Sequence, residues 1–150
     1  MGTKMRYTII IAIFSFVFIA CSKDKFTTKP QLTFKSANTN VVEKENVLEF
    51  TLDFTDEEGD IDSLFMFKIT KNCSLSDLKD SSEITASLPR VKKQRGDLIV
   101  TYKNAVNAFP YLPCYPLCTE NDTCYFRFVL MDKAKNKSDT LNTGQIVIIK

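Results

Sequence analysis

Val47-Leu48-Glu49-Phe50-Thr51-Leu52-Asp53-Phe54 alternates apolar and polar side chains without a break. Successive side chains of an extended chain point to opposite faces, so Leu48, Phe50, Leu52 and Phe54 share one face and Glu49, Thr51 and Asp53 the other. This period of two predicts a half-buried strand. Working outward, Ser63 to Thr70 repeats the pattern with Phe65, Phe67 and Ile69 taken as the inward set. Leu98 to Lys103 groups Leu98, Val100 and Tyr102, and Tyr125 to Met131 groups Phe126, Phe128 and Leu130. Ile146 to Ile149 is a last β-branched run, Leu32 with Phe34 marks a first strand, and a weaker strand falls near Glu83–Ser87 or Leu88–Val91. No segment carries an amphipathic helix longer than about two turns; Ser74 to Ser82, with Leu75 and Leu78 three apart, supplies one turn at most. Six or seven short strands separated by turns predict an all-β fold, an antiparallel sandwich of about seven strands.

The N-terminus reads differently. Lys4 and Arg6 precede an apolar run from Ile9 to Ala20. Twelve helical residues would span ~18 Å, well short of the ~30 Å hydrocarbon core, so the run fits the hydrophobic part of a signal peptide and not a membrane span. It ends Phe18-Ile19-Ala20-Cys21, which resembles a lipobox with Phe18 in place of the usual aliphatic residue. The expected organisation is a lipoprotein signal peptide over 1–20, a polar tether over 21–30 starting at a lipidated Cys21, and a folded domain over 31–150.

Removing residues 1–20 takes away Lys4 and Arg6 and leaves 18 basic against 18 acidic side chains. A neutral domain lacks the basic surface that nucleic-acid binding requires. The chain has no histidine, which removes the commonest general base and transition-metal ligand, and no tryptophan, the favoured sugar-stacking side chain. With Cys21 set aside, Cys73, Cys114, Cys118 and Cys124 make an even number, which in an exported domain points to disulfides. Four cysteines allow three pairings; the expected one joins Cys118 to Cys124 and Cys73 to Cys114. A zinc site of four thiolates is a poorer reading, because C-x3-C and C-x5-C differ from the usual C-x2-C pairs.

Two internal stretches, together with the lipobox and tether, resemble the small Ig-like lipoproteins of Bacteroidetes-type bacteria. Phe54-Thr55-Asp56-Glu57-Glu58-Gly59-Asp60-Ile61 is similar to that family's F-x-D-x-x-G-D-I turn. Phe128 to Ser138, through Asp132-Lys133-Ala134-Lys135-Asn136-Lys137-Ser138, is similar to its D-x-A-G-N-x-S turn, with Lys135 where the family has glycine and Asn136 as the residue suited to positive φ. The resemblance implies an Ig-like or fibronectin-like sandwich and a cell-envelope, outer-membrane address; it implies little about activity.

Three segments carry candidate chemistry. Six acids lie from Asp53 to Asp62. Alternate carboxylates in a turn can converge on a hard cation, so Asp56, Glu58 and Asp60 are candidate calcium ligands, with Asp132 or Asp139 approaching from the last hairpin. An EF-hand is excluded, since the twelfth position from Asp56 is Phe67 and not glutamate. The plainer alternative is a solvated acidic turn. Arg90-Val91-Lys92-Lys93-Gln94-Arg95-Gly96-Asp97 reads as an exposed basic hairpin turn bending near Gly96, suited to anionic glycans or headgroups. Residues 107–118 contain Pro110, Pro113 and Pro116, which forbid a central strand; on this loop Phe109, Tyr111 and Tyr115 form a candidate rigid contact surface or else cap the sandwich. The functional expectation is a non-enzymatic, membrane-anchored binding or surface-assembly module. The expected partners are the membrane, through the N-terminal lipid, and a glycan or protein ligand; no cofactor is required, and calcium is an optional stabilising ion. The alternative is a small carbohydrate-active accessory enzyme or glycan-binding protein of a polysaccharide-utilisation system, which would need two carboxyl groups ~5–10 Å apart across a cleft.

Overall fold

In the computed structural model, residues 28–72, 80–84, 88 and 93–150 are described, with backbone alone for 80–84. The expected signal peptide, Cys21, most of the tether, and Cys73 lie outside them. The strands are β1 (Gln31–Ala37), β2 (Val41–Val42), β3 (Val47–Thr55), β4 (Ile61–Thr70), β5 (Asp80–Ile84), β6 (Arg95–Lys103), β7 (Leu112–Pro113), β8 (Asp122–Asp132), β9 (Leu141–Asn142) and β10 (Ile146–Ile148). One sheet runs β1-β3-β6-β7; the other runs β2-β10-β8-β4-β5, with β9 also on β8. The two face each other across a shared apolar layer, a β-sandwich.

The long strands obey the alternation read from the sequence. On β3, Leu48, Phe50 and Leu52 are fully buried and Phe54 nearly so; Leu98, Val100 and Tyr102 on β6 and Phe126, Phe128 and Leu130 on β8 join them. Phe50 of the first sheet meets Phe126 and Phe128 of the second at ring-centroid distances of 5.0 and 5.5 Å, and Tyr102 reaches Phe126 at 4.7 Å. Aromatic pairs at 4.5–7 Å gain about 0.5–1.5 kcal/mol each beyond their burial, so this cluster clamps sheet to sheet.

Four expectations need correction. The sheets are mixed: β6 with β7 and β10 with β2 pair in parallel, through two-residue registers at the edges. On β4 the inward set is Leu64, Met66 and Lys68, while Phe65, Phe67 and Ile69 are only half-buried. A bulge between Ile61 and Ser63 sets that register, and a buried partner for Lys68, Asp122, makes its burial tolerable. Gly96 does not bend a turn; it lies inside β6, opposite Phe54 of β3. Asp80, Ser81 and Ser82, expected at the end of a helical turn, begin β5.

The cysteines also depart from expectation. Cys114 and Cys124 are free and buried. Cys118 is disulfide-bonded, and neither of those two is its partner. Cys124 shares the inward register of β8 with Asp122 and Phe126, so its thiol enters the core while Cys118 sits on a half-exposed loop. Burial pushes both free thiols up to about 12, which leaves them protonated and inert at neutral pH.

Between the sheets near these thiols lies a buried ion pair. Lys68 Nζ stands 3.0 Å from Asp122 Oδ2, with both side chains 5% exposed or less. Lys68 also donates to the carbonyl of Tyr115 at 3.2 Å, which ties the proline-rich loop to β4.

Candidate functional site

Strand direction separates two ends of the sandwich. β3 runs from Val47 at one end to Thr55 at the other, and its neighbour β6 returns antiparallel. Nine residues at ~3.3 Å each place the ends ~30 Å apart. The acidic turn occupies one end and the proline-rich loop the other.

At the acidic end, Asp56 follows β3 and Asp60 precedes β4. Asp56 N–H donates to the Gln94 carbonyl at 2.8 Å, and Gln94 Nε2 donates to the Glu57 carbonyl at 2.7 Å, which moors the turn. Gly59 takes φ +63°, and its missing Cβ matters: one built there would stand 2.9 Å from the Lys93 carbonyl carbon. Only glycine gives both the left-handed backbone and that approach. The bend returns Asp60 N–H to Asp56 Oδ2 at 2.9 Å.

Asp132 arrives from β8, where it pairs with Ile61 of β4. The Asp60 carbonyl accepts from Lys133 N–H at 3.2 Å, which fixes the turn against the last hairpin. Asn136 holds the Asp132 carboxylate, its backbone N–H on Oδ1 at 2.8 Å and its Nδ2 on Oδ2 at 2.7 Å. The hairpin has its left-handed residue at Lys135, φ +70°, and not at Asn136. Lys135 therefore takes the left-handed conformation itself, and its Nζ pairs with Asp62 at 3.0 Å.

Asp56, Asp60 and Asp132 each present an oxygen within 4.8 Å of the others. Asp56 and Asp132 are buried and Asp60 is half-buried. Burial pushes the Asp56 carboxyl above its ordinary range, and the charges of Asp60, Glu58 and Asp132 act the same way against the Asp60 N–H bond. Glu58, expected among the ligands, is exposed and outside the trio, because the bend at Gly59 breaks the alternation that would bring it in. Asp139 is also apart, paired with Lys29 at 2.6 Å.

At the other end the residues from Asn104 to Tyr111 join β6 to β7. Asn104 is buried and donates from Nδ2 to the carbonyls of Val42 and Ile149, at 3.1 and 2.7 Å. Its backbone exchanges bonds with Glu45 and Asn46, while Tyr111 N–H returns to the Ala108 carbonyl at 2.8 Å. Ala105 and Ala108 are buried as anchors, yet Val106 is 79% and Phe109 90% exposed, and Tyr111 is 43% exposed. Tyr115 is half-buried and lines a cavity of about 310 Å³ with Lys44, Asn104, Val106, Asn107 and Lys150. The sequence points to the aromatic loop but not to Val106, because Asn104-Ala105-Val106-Asn107-Ala108 shows no regular period that would mark one side chain as exposed. Of the basic run, residues 90–92 lie outside the described set.

The sequence matches no family model and no curated protein. Among solved structures the chain is similar to the sporulation control protein Spo0M from Bacillus subtilis, at 10% identity and a TM-score of 0.45, over 83% of this chain and 51% of that one. It is also similar to a Niemann-Pick type C2 protein from the Japanese carpenter ant, at 9% identity and a TM-score of 0.43, over 79% of this chain and 92% of that one. The chain thus spans about half the length of Spo0M. The likeness concerns fold alone.

Proposed function

We propose that this protein is a non-enzymatic, outer-membrane-anchored lipoprotein whose Ig-like domain is a binding or surface-assembly module. The observation that carries the reading is Phe109, with Val106 and Tyr111, held out to solvent on a loop locked by backbone hydrogen bonds. Exposed apolar side chains that contribute little to the core, on a backbone already ordered, suit a contact surface, because binding then costs little conformational entropy. The chain enters β1 at the opposite end, where Asn136 Nδ2 donates to the Thr28 carbonyl. A tether reaching a membrane from that end would turn the apolar loop outward.

A glycan-array screen of the wild-type chain beside a Phe109→Ser/Tyr111→Ser variant tests this reading. The wild type is expected to retain a glycan that the variant binds at least about tenfold more weakly, the scale of one interfacial anchor. Melting should be unchanged, since neither side chain belongs to the core. Equal retention by both proteins would remove the loop from the binding surface.

A further inference from the structure

We propose that Asp56, Asp60 and Asp132 form a calcium site that joins the turn between β3 and β4 to the turn after β8. Two carboxylates on one calcium ion, each at ~2.4 Å, stand no more than ~4.8 Å apart; the three oxygens meet that limit. Acids often cluster without an ion, so the second observation matters more. Asp56 is fully buried and contributes to the cluster, and its Oδ1 accepts no hydrogen bond among the described residues. A buried carboxylate oxygen without a donor is costly, and more so beside two further carboxylates. A divalent cation satisfies it and offsets the three charges together.

The surroundings fit an ion better than a side-chain partner. Lys135 is committed to Asp62, and both Asp132 oxygens are oriented by Asn136, each keeping a second lone pair. Holding a ligating carboxylate by outer hydrogen bonds is how metal sites fix their geometry. Half-buried Asp60 leaves one side open to water, which would complete a coordination shell. Calcium suits this arrangement better than magnesium, because it takes six to eight oxygens in loose geometry where magnesium demands a near-ideal octahedron. The site lies ~30 Å from the apolar loop, so it is a structural clamp and independent of the proposed binding surface.

Thermal melting of the full chain in detergent, in chelator, in 5 mM calcium and in 5 mM magnesium, tests the proposal together with equilibrium dialysis against radioactive calcium. At a dissociation constant of ~10⁻⁴ M, calcium should raise the melting temperature by roughly 5–10 °C, and dialysis should give one ion per chain. Magnesium should raise it by less. Asp60→Asn keeps the backbone N–H to Asp56 and relieves charge repulsion. It should therefore fold with or without calcium, bind the ion at least about tenfold more weakly, and lose most of the shift. Identical melting in calcium and chelator with no ion retained would overturn the site. So would equal shifts from magnesium, or from calcium acting on Asp60→Asn.

Discussion

Phe50→Ala is expected to remove about 3–5 kcal/mol of stability, the range for truncating a buried phenylalanine. Phe50 is fully buried at the centre of β3 and its ring touches Phe34, Tyr102, Phe126 and Phe128 at centroid distances from 5.0 to 6.4 Å. Those partners belong to β1, β6 and β8, so one truncation empties the junction of both sheets. Rigid strands on either side limit collapse around the void. A domain of this size has a total stability of only about 5–15 kcal/mol, so the variant should sit near its folding limit. Urea titration followed by tyrosine fluorescence would give the loss as a lower midpoint with unchanged slope. A loss below about 1 kcal/mol would mean that the core repacks around the gap.

Lys68→Met is expected to cost a similar amount, about 3–5 kcal/mol, for a different reason. It leaves Asp122 buried with no opposite charge. Neither Asp122 oxygen accepts a hydrogen bond among the described residues; the ammonium at 3.0 Å from Oδ2 holds it as an ion pair outside hydrogen-bond geometry. The variant also frees the Tyr115 carbonyl that Lys68 holds. Asp122→Leu should be as damaging, since it strands the lysine. The double variant Lys68→Met/Asp122→Leu should recover most of the loss, because removing both charges removes the desolvation cost of both. A double-mutant cycle measures this directly. Additive losses in the double variant would show that the two side chains do not act as a pair.

That pair also explains where sequence and structure part. β3, β6 and β8 alternate strictly, and their inward faces could be read because every inward position is apolar and large. On β4 the same alternation offers two faces, Phe65-Phe67-Ile69 or Leu64-Met66-Lys68. By sequence alone, the lysine disqualifies the second. Its partner Asp122 lies 54 positions further along, a distance that no local pattern encodes. The edge strands β2, β7 and β9 have two residues each, too few to show a period, so their pairings depend on tertiary packing alone. Cysteine spacing likewise says nothing about which thiols point into a core, and Cys114 and Cys124 both do.

The acidic site was partly legible. Asp56 and Asp60 could be marked from the turn itself, and Asp132, as an alternative to Asp139, from the last hairpin meeting that turn at one end of a sandwich. Glu58 entered through the assumption of an extended turn, which the left-handed backbone at Gly59 breaks. The opposite loop could be placed from its prolines, but which of its aromatics face water depends on the anchoring of Ala105 and Ala108, which are ordinary residues in the sequence.

Attachment to a membrane through Cys21, on which the proposed orientation of the apolar loop depends, is tested most directly by fractionating cells that express Cys21→Ser. The variant is expected in the soluble fraction, with the melting temperature of the wild-type domain. A Cys21→Ser chain that remains with the membranes would contradict lipid anchoring at that residue.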